Sequence, residues 1–205
     1  MSNETKFFPR AYGIKTQVEI NGLYTDWAET YDHELSENGY ETPVRVARAL
    51  SQFLPSKASI LDFGCGTGLS GMALNKLGFT EIHGVEINQS MLNKAEQTGV
   101  YRSLMLGNQD NPFDFHKGKY QAITAVGVIS SGAGPAKLTR SALDALATDG
   151  LLVLSLNDAA LADPDYTSEI QRATDLKTAV LLSEEYGPHM STKRVGATVY
   201  VLKRL

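Results

Sequence analysis

The stretch Ile60-Leu-Asp-Phe-Gly-Cys-Gly-Thr-Gly-Leu-Ser-Gly71 runs from a short apolar strand, with an acid near its end, into three glycines separated by single residues. Glycine adopts positive φ without steric penalty and lets a ligand approach the backbone closely. Apolar residues then recur at helical spacing from Leu69, and Gly78 ends that pattern. The N–H groups and positive dipole end of such a helix favour an anionic ligand group. The stretch therefore predicts the first strand, turn and helix of a nucleotide-binding α/β fold.

Two acids strengthen this prediction. Asp62 lies inside the apolar strand, where a carboxylate is costly unless it is hydrogen-bonded or faces a cationic ligand group. Glu86 closes the next apolar run, about 20 residues after the glycines, where a Rossmann-like site binds a pair of ribose hydroxyls. Both acids are therefore predicted to belong to the ligand site.

At these residues the chain resembles class I S-adenosylmethionine-dependent methyltransferases. Asp62-Phe-Gly-Cys-Gly-Thr-Gly68 is similar to their first motif, and Gly84-Val-Glu-Ile-Asn88 is similar to the acidic motif that comes after it. Dinucleotide oxidoreductases carry G-x-G-x-x-G/A instead, and Leu69 stands where their last glycine would fall. The resemblance implies an α/β, doubly wound Rossmann-like fold, with a mostly parallel seven-stranded sheet, an antiparallel last strand and an N-terminal helical cap. It also implies S-adenosylmethionine as the cofactor and S-adenosylhomocysteine as its product.

The resemblance further implies a set of cofactor-binding residues in the glycine turn, beyond the second, third and fourth strands, and on the cap. They are Asp62, Gly64, Cys65, Gly66, Thr67, Gly68, Glu86, Ile87, Met91, Asn108, Gln109, Val126, Tyr31, Tyr24 and Trp27. The family often has an acid where this chain has Asn108 and Gln109, and an amide oxygen can accept the same hydrogen bond. Gln109 is equally well explained as a polar turn residue that faces water.

The aromatic residues of the cap fall on one face of a predicted helix, because Tyr24, Trp27, Tyr31 and Leu35 recur at helical spacing. One interpretation is an amphipathic helix that packs its aromatic rings on the core. The other is a helix that lies over the cofactor, as similar segments do in the family. Tyr31 is the first choice for a cofactor contact.

A closer resemblance, to the small methyltransferases of the Williams-Beuren syndrome region group, rests on three segments. They are Trp27-Ala-x-x-Tyr31-Asp32, Gly39-Tyr40-x-x-Pro43 and Val126-Gly-Val-x-x-x-Gly132. The last segment comes after the fourth predicted strand, so it should border both cofactor and substrate. It lacks the Asn/Asp-Pro-Pro-Tyr/Phe motif of methyltransferases that act on the amino groups of nucleic-acid bases. The closer resemblance names no substrate.

Length and composition favour one domain over residues 1–205, with a helical cap in 1–55 and a Rossmann-like core in 56–205. The net charge of −4 and the lack of a basic run argue against a nucleic-acid partner, so a small-molecule substrate is expected. The single cysteine, Cys65, fits a reducing compartment. No signal peptide or membrane-spanning stretch is evident, so a cytoplasmic location without membrane association is expected. The oligomeric state is left open.

Polar residues from Leu156 to Tyr166 predict a long loop, succeeded by a short helix near 168–174. Two last strands are predicted near 178–184 and 195–203, with Tyr186-Gly-Pro-His-Met190 in their connection. Such a hairpin is similar to the antiparallel end of the methyltransferase sheet.

No catalytic motif can be identified, and none is required. The methyl group of the cofactor is already electrophilic, so placing an acceptor close and in line can supply most of the catalysis. A general base is needed only if the acceptor must lose a proton. The candidates are His33, His116, His189 and the tyrosines of the cap, and none of them has a partner at a telling spacing. Cys65 is better explained as a small residue in a tight turn than as a nucleophile. Two alternatives stay open: a non-catalytic module that binds the cofactor or its product, and an NAD-dependent oxidoreductase.

Overall fold

The structure is a computed structural model that describes residues 17–108, 112–113, 117–130 and 132–205. Its elements in chain order are α1 (Gln17–Trp27), α2 (Tyr31–Glu37), α3 (Thr42–Ser51), β1 (Ile60–Phe63), α4 (Leu69–Lys76), β2 (Ile82–Glu86), α5 (Gln89–Gln97), β3 (Ser103–Leu106), β4 (Ala122–Ala125), α6 (Leu138–Ala145), β5 (Leu151–Asn157), α7 (Asp158–Leu161), α8 (Pro164–Asp175), β6 (Ala179–Met190), the 3-10 helix η1 (Ser191–Lys193) and β7 (Val195–Arg204).

The strands form one seven-stranded sheet in the order β3-β2-β1-β4-β5-β7-β6. β1 pairs in parallel with β2 and β4, and the parallel pairing continues to β3 on one side and β5 on the other. Among these strands, β7 runs antiparallel to both of its neighbours. The predicted fold class is thereby confirmed. Because the strand order reverses at β1 and β4, a crevice is expected beyond their carboxyl ends.

Helices cover both faces of this sheet. On one face α6 and α8 pack on a cluster that includes Leu61 and Phe63, and on the other α3 and α4 pack on Ile60 and Ile82. Successive residues of β1 thus point to opposite faces, as strand geometry requires. All of β1 and β5 is buried, and a strand buried on both faces carries a nearly continuous apolar run. Asp62 is the charged exception in β1.

The single helix predicted through Tyr24 and Leu35 is wrong, because α1 ends at Trp27 and α2 begins at Tyr31. The same side chains still meet in one cluster, in which Tyr24 and Tyr31 pack against Trp27 and Leu35. The spacing of apolar residues cannot reveal the turn between α1 and α2, because the side chains on both sides of that turn still pack in the same cluster.

Helix α3 lies within the predicted cap segment, residues 1–55, yet it packs on the sheet through Val46 and Leu50. Of the three described helices in that segment, α1 and α2 stand over the carboxyl ends of the strands near the glycine turn. The division of the chain into a cap and a core at residue 55 stays a prediction. Among the helices described, none is long and apolar enough to cross a membrane.

Two assignments near the C-terminus are also wrong. The predicted loop 156–166 is largely helical. Asn157 and Asp163 are N-caps there, and they accept hydrogen bonds from the backbone N–H groups of Ala160 in α7 and Asp165 in α8. Residues that favour turns are also the preferred helix N-caps. The segment Tyr186–Met190 belongs to β6 rather than to a connection, which is η1 instead. Pro188 is tolerated in this strand because β6 is at the edge of the sheet.

Candidate functional site

A cavity of about 290 Å³ opens at the carboxyl ends of β1, β2 and β4. Its wall combines the turn after β1, the end of β2, the loop after β4, and two tyrosines from α1 and α2. Eight of the predicted cofactor residues line it: Tyr24, Tyr31, Gly64, Gly66, Glu86, Ile87, Met91 and Val126. Ligands of open α/β sheets bind at this place, where the strand order reverses.

The first two glycines of the turn serve different purposes. Gly64 has φ +66°, and a Cβ atom there would lie 2.4 Å from Cγ2 of Val128, so packing excludes a side chain. Gly66 has φ +54°, and a Cβ atom there would meet no other atom within 4 Å. Its backbone borders the open space of the cavity, so a ligand can approach it closely.

The carboxylate of Glu86 holds this turn in place. Its Oε2 atom accepts a hydrogen bond from the Gly66 N–H at 3.0 Å, and Oε1 accepts from Ile87 and Asn88 at 2.7 and 2.9 Å. Burial raises the pKa of Glu86, while the three N–H donors act in the opposite direction. A carboxylate has about four acceptor sites, so Glu86 keeps capacity for a ligand hydroxyl.

Asp62 lies behind the turn and does not line the cavity. Its fully buried carboxylate accepts hydrogen bonds from the hydroxyls of Ser70, Tyr101 and Thr124 at 2.5, 2.8 and 3.0 Å. Burial raises the pKa of Asp62, and these three donors oppose the shift. The buried carboxylate is therefore satisfied by protein hydroxyls, which come from α4, β4 and the segment before β3. Tyr101 also accepts a hydrogen bond from the Gly71 N–H, and a lone tyrosine in a loop carried no sequence signal for this role.

Four more predicted residues are buried next to the cavity without lining it: Trp27, Cys65, Thr67 and Gly68. Cys65 packs with Leu92 and Ala95 of α5, and burial raises the pKa of its thiol well above the usual range. This environment agrees with a small residue that fills a tight turn. That these four residues and Asp62 bind the cofactor stays a prediction.

Polar contacts tie α1 and α2 to the elements that form the cavity. The Thr67 hydroxyl in the glycine turn donates to Oδ1 of Asp32 at 2.5 Å. Asn88, the N-cap of α5, donates from its amide to the hydroxyl of Thr25 at 2.8 Å. The helices that lie over the cavity are thus bound to the same two turns that shape it.

Helices α1 and α2 present an uncharged aromatic wall to the cavity through Tyr24 and Tyr31. Tyr31 packs its ring at 4.6 Å and 69° to that of Trp27, and Tyr24 lies beside both. Burial raises the pKa of Tyr31 well above its usual range, and Tyr24, Tyr40 and Glu86 add to the effect. The phenol of Tyr31 is therefore neutral at physiological pH.

Sequence reasoning missed part of the wall, which is mostly apolar. The missed residues are Phe63, Val85, Asn88, Gly107, Pro112, Lys137 and Leu138, in addition to members of the loop 127–135 that was predicted only as a border. Phe63 and Val85 sit at the ends of buried strands, a position that could have marked them. Asn108 is exposed beside Gly107, and Gln109 lies outside the described residues.

No histidine in the described part of the chain lines the cavity. His33 is exposed and lies 3.6 Å from Glu37, whereas His189 is buried and hydrogen-bonded through Nδ1 to the Thr42 hydroxyl at 2.8 Å. Burial lowers the pKa of His189 to about 4. His116 lies outside the described residues. Over the described ranges, no group of three or more His, Cys, Asp or Glu side chains is arranged to hold a metal ion.

Comparison with known proteins agrees with this geometry. Residues 31–194 match the family described as a methyltransferase domain. Methyltransferase-like protein 27 of Homo sapiens is 34% identical over 129 residues, which are 61% of this chain and 53% of that protein. The chain therefore spans about half the length of this curated relative.

Two solved structures share the fold at low sequence identity. A TehB-like SAM-dependent methyltransferase from Corynebacterium glutamicum superposes with a TM-score of 0.62 and 18% identity, over 89% of this chain and 98% of the other. A SAM-dependent methyltransferase from Thiobacillus denitrificans, in complex with S-adenosyl-L-homocysteine, gives a TM-score of 0.58 and 13% identity over 80% and 91%.

Proposed function

Since this chain belongs to the family of methyltransferase domains, we propose that it transfers a methyl group from S-adenosylmethionine to a small-molecule acceptor. The resemblance of its glycine turn and acidic motif to class I S-adenosylmethionine-dependent methyltransferases is confirmed. The observation that carries the proposal is the pairing of Glu86 with the backbone of Gly66 at the wall of a strand-end cavity.

The residues present fit this cofactor. Glu86 has acceptor capacity for the ribose hydroxyls, and the open backbone at Gly66 leaves room for the methionine part. Ile87 and Met91 supply apolar wall for the adenine ring. The aromatic rings of Tyr24 and Tyr31 suit a sulfonium, because aromatic faces attract cations.

The bound cofactor supplies an electrophilic methyl group, so the work of the protein is to position and desolvate the acceptor. With both ligands bound, the loop after β4 and the two tyrosines would exclude water from the methyl group and its acceptor. Tyr31 stays neutral and cannot act as a base at physiological pH, and the buried His189 lies away from the wall. We infer that the rate enhancement rests mainly on the proximity and orientation of the bound acceptor.

A small acceptor is favoured by the shape of the site and by the net charge of the chain. The cavity has about 290 Å³ and is overhung by α1 and α2, which leaves little room for a large macromolecular segment. The chain has a net charge of −4, the wrong sign for holding a nucleic acid. Small-molecule methylation is proposed on these grounds, and a cytoplasmic setting is proposed from the single cysteine, Cys65.

The test is a turnover assay over a library of small acceptors, with release of S-adenosylhomocysteine as the readout. Growth of product with one acceptor class supports the proposal, and the Glu86→Gln variant should lose that turnover. Tight binding of S-adenosylhomocysteine without turnover on any acceptor would favour the alternative, a non-catalytic binding module. Thermal stabilisation by NAD but not by S-adenosylmethionine would revive the oxidoreductase.

A further inference from the structure

Tyr101, which lies just before β3, places its phenol between β2 and the first turn of α4. A Cβ atom at Gly71, in that first turn, would lie 2.3 Å from both Cζ and the hydroxyl oxygen of the ring. A Cβ atom at Gly84 in β2 would lie 3.1 Å from Cε1 of the same ring. Glycine inside a helix is unfavourable relative to alanine, so Gly71 is explained by the room that it leaves for the phenol.

The hydroxyl of Tyr101 uses both its donor and its acceptor capacity. It donates to Oδ2 of Asp62 at 2.8 Å and accepts from the Gly71 N–H at 3.1 Å. Burial and the nearby Asp62 carboxylate raise the pKa of Tyr101, so the phenol keeps the proton with which it donates. One hydroxyl group therefore joins β1 to the first turn of α4.

These two attachment points stand on either side of the glycine turn. Asp62 comes two residues before Gly64, and Gly71 comes three residues after Gly68. The turn between them carries Gly66, which lines the cavity. A link that fixes both ends of a short turn restricts the conformations of its middle, so a ligand that orders the turn loses less conformational entropy on binding.

Thr124 donates to the same carboxylate from a different direction. Its hydroxyl lies 3.0 Å from Oδ1 of Asp62, and Thr124 in β4 is the register partner of Asp62 in β1. This hydrogen bond joins two strands that already pair in the sheet, and it does not span the glycine turn. Loss of the Thr124 hydroxyl should therefore reduce stability without loosening the turn at Gly66.

We propose that Tyr101 is a positioning residue for the cofactor, because its hydroxyl fixes the turn conformation in which the Gly66 backbone faces the ligand. Tyr101 does not line the cavity, so it acts through Asp62 and Gly71 rather than by contact with the ligand. This role rests on the proposed function, since Gly66 must face S-adenosylmethionine for the order of the turn to affect binding.

Isothermal titration calorimetry with S-adenosylhomocysteine compares Tyr101→Phe with Thr124→Val. Each variant removes one hydroxyl donor from Asp62 and nearly keeps the shape of the side chain. Tyr101→Phe should bind S-adenosylhomocysteine about tenfold more weakly than the wild type, whereas Thr124→Val should bind it as tightly as the wild type does. Urea unfolding should show a loss of stability in both variants, which separates the effect on binding from the effect on folding.

Amide NMR spectra of the same variants give a readout that a purely structural role would not change. The Gly71 resonance should shift in Tyr101→Phe in either case, because its N–H loses its acceptor. The Gly66 resonance should broaden in Tyr101→Phe but not in Thr124→Val, and it should sharpen again at saturating S-adenosylhomocysteine. Such broadening is expected when a turn exchanges between conformations.

The outcomes separate this role from the proposed function. If the wild type and Tyr101→Phe bind S-adenosylhomocysteine equally tightly, the positioning role is overturned and the proposed function is left intact. Equal losses of affinity in Tyr101→Phe and Thr124→Val also overturn it, because the effect would then come from Asp62 and not from the link across the turn. A folded wild type that binds no S-adenosylhomocysteine contradicts the proposed function, and the positioning role with it.

Discussion

At the scale of single residues, Glu86 performs two tasks with one carboxylate. It holds three backbone N–H groups of the site and keeps acceptor capacity for a ligand. Asp62, the other acid that the sequence marked, accepts hydrogen bonds from three protein hydroxyls. Two acids with equal prominence in the sequence thus have different positions, because one ends a strand at the cavity and the other lies behind the turn.

The Glu86→Gln variant tests whether the Glu86 carboxylate binds the ligand. Glutamine keeps the shape but offers one acceptor oxygen instead of two. The binding of S-adenosylhomocysteine should therefore weaken by about 1–3 kcal/mol, which appears as a higher dissociation constant. Isothermal titration calorimetry measures it, with the exposed Glu96→Gln as the matched control. Equal affinity in the two variants would mean that Glu86 has been assigned the wrong partner.

Gly66→Ala separates ligand approach from backbone strain. A positive φ strains any residue with a Cβ, by about 1–2 kcal/mol, and Gly99 has φ +67° with equally open space around it. Gly66→Ala and Gly99→Ala should therefore lose similar stability in urea unfolding. Only Gly66→Ala should lose affinity for S-adenosylhomocysteine, and full affinity in that variant would refute the close approach at Gly66.

At the scale of elements, α2 is held to the glycine turn by a hydrogen bond between Thr67 and Asp32. A double-mutant cycle with Asp32→Ala and Thr67→Val should show a coupling of about 0.5–1.5 kcal/mol in cofactor affinity. Without this hydrogen bond, α2 should move away from the cavity more readily. Stopped-flow measurements should therefore show S-adenosylhomocysteine dissociating several times faster from either single variant. Glu37→Ala, on the same helix, is the control. Dissociation at the wild-type rate would show that this contact does not hold α2 over the cavity.

A second element contact, between Thr42 of α3 and His189 of β6, makes stability depend on pH. The pKa of His189 is lowered to about 4 by burial, so the folded state favours the neutral ring. The stability contributed by the neutral ring is fully present above about pH 6.5, the ordinary pKa of histidine, and is lost as the pH falls toward 4. The total loss in the free energy of unfolding is on the order of 3 kcal/mol.

The comparison of wild type with His189→Gln isolates this contribution from those of Asp62 and Glu86. The pKa values of both acids are raised, so their contributions grow as the pH falls and oppose the histidine. The free energy of unfolding is measured with urea at a series of pH values. As the pH falls from 6.5 toward 4, it should decrease more steeply for the wild type than for His189→Gln. Parallel curves would contradict the burial of a neutral His189.

Element boundaries mark the limit of sequence reasoning. The strand and turn from Ile60 to Gly68 were predictable, because apolar run, acid and glycines all point to the same local structure. The pattern around Asn157 and Asp163 predicts a loop and is misleading, because the side-chain oxygen that favours a turn also caps a helix. Whether such a residue caps a helix depends on whether the next residues pack against the core, and no single residue reveals that packing.

At the scale of the whole molecule, the parallel sheet and its antiparallel end were predictable from the order of the elements and from family resemblance. The cavity wall was predictable at strand ends such as Glu86, where position alone brings residues together. Lys137 and Leu138 could not be predicted as part of the wall. They reach the cavity from the start of α6, which a long loop separates from β4. Long-range packing of that kind has no signature in local spacing.

The cavity at the ends of β1, β2 and β4 is the feature on which the proposed function depends, because it must bind S-adenosylmethionine. Isothermal titration calorimetry of the full chain with S-adenosylhomocysteine is the decisive measurement, with NAD titrated under the same conditions. We predict saturable binding of one S-adenosylhomocysteine per chain in the micromolar range and no comparable heat with NAD. A correctly folded chain that takes up no S-adenosylhomocysteine at high micromolar concentration, or that prefers NAD, would contradict this assignment of the cavity.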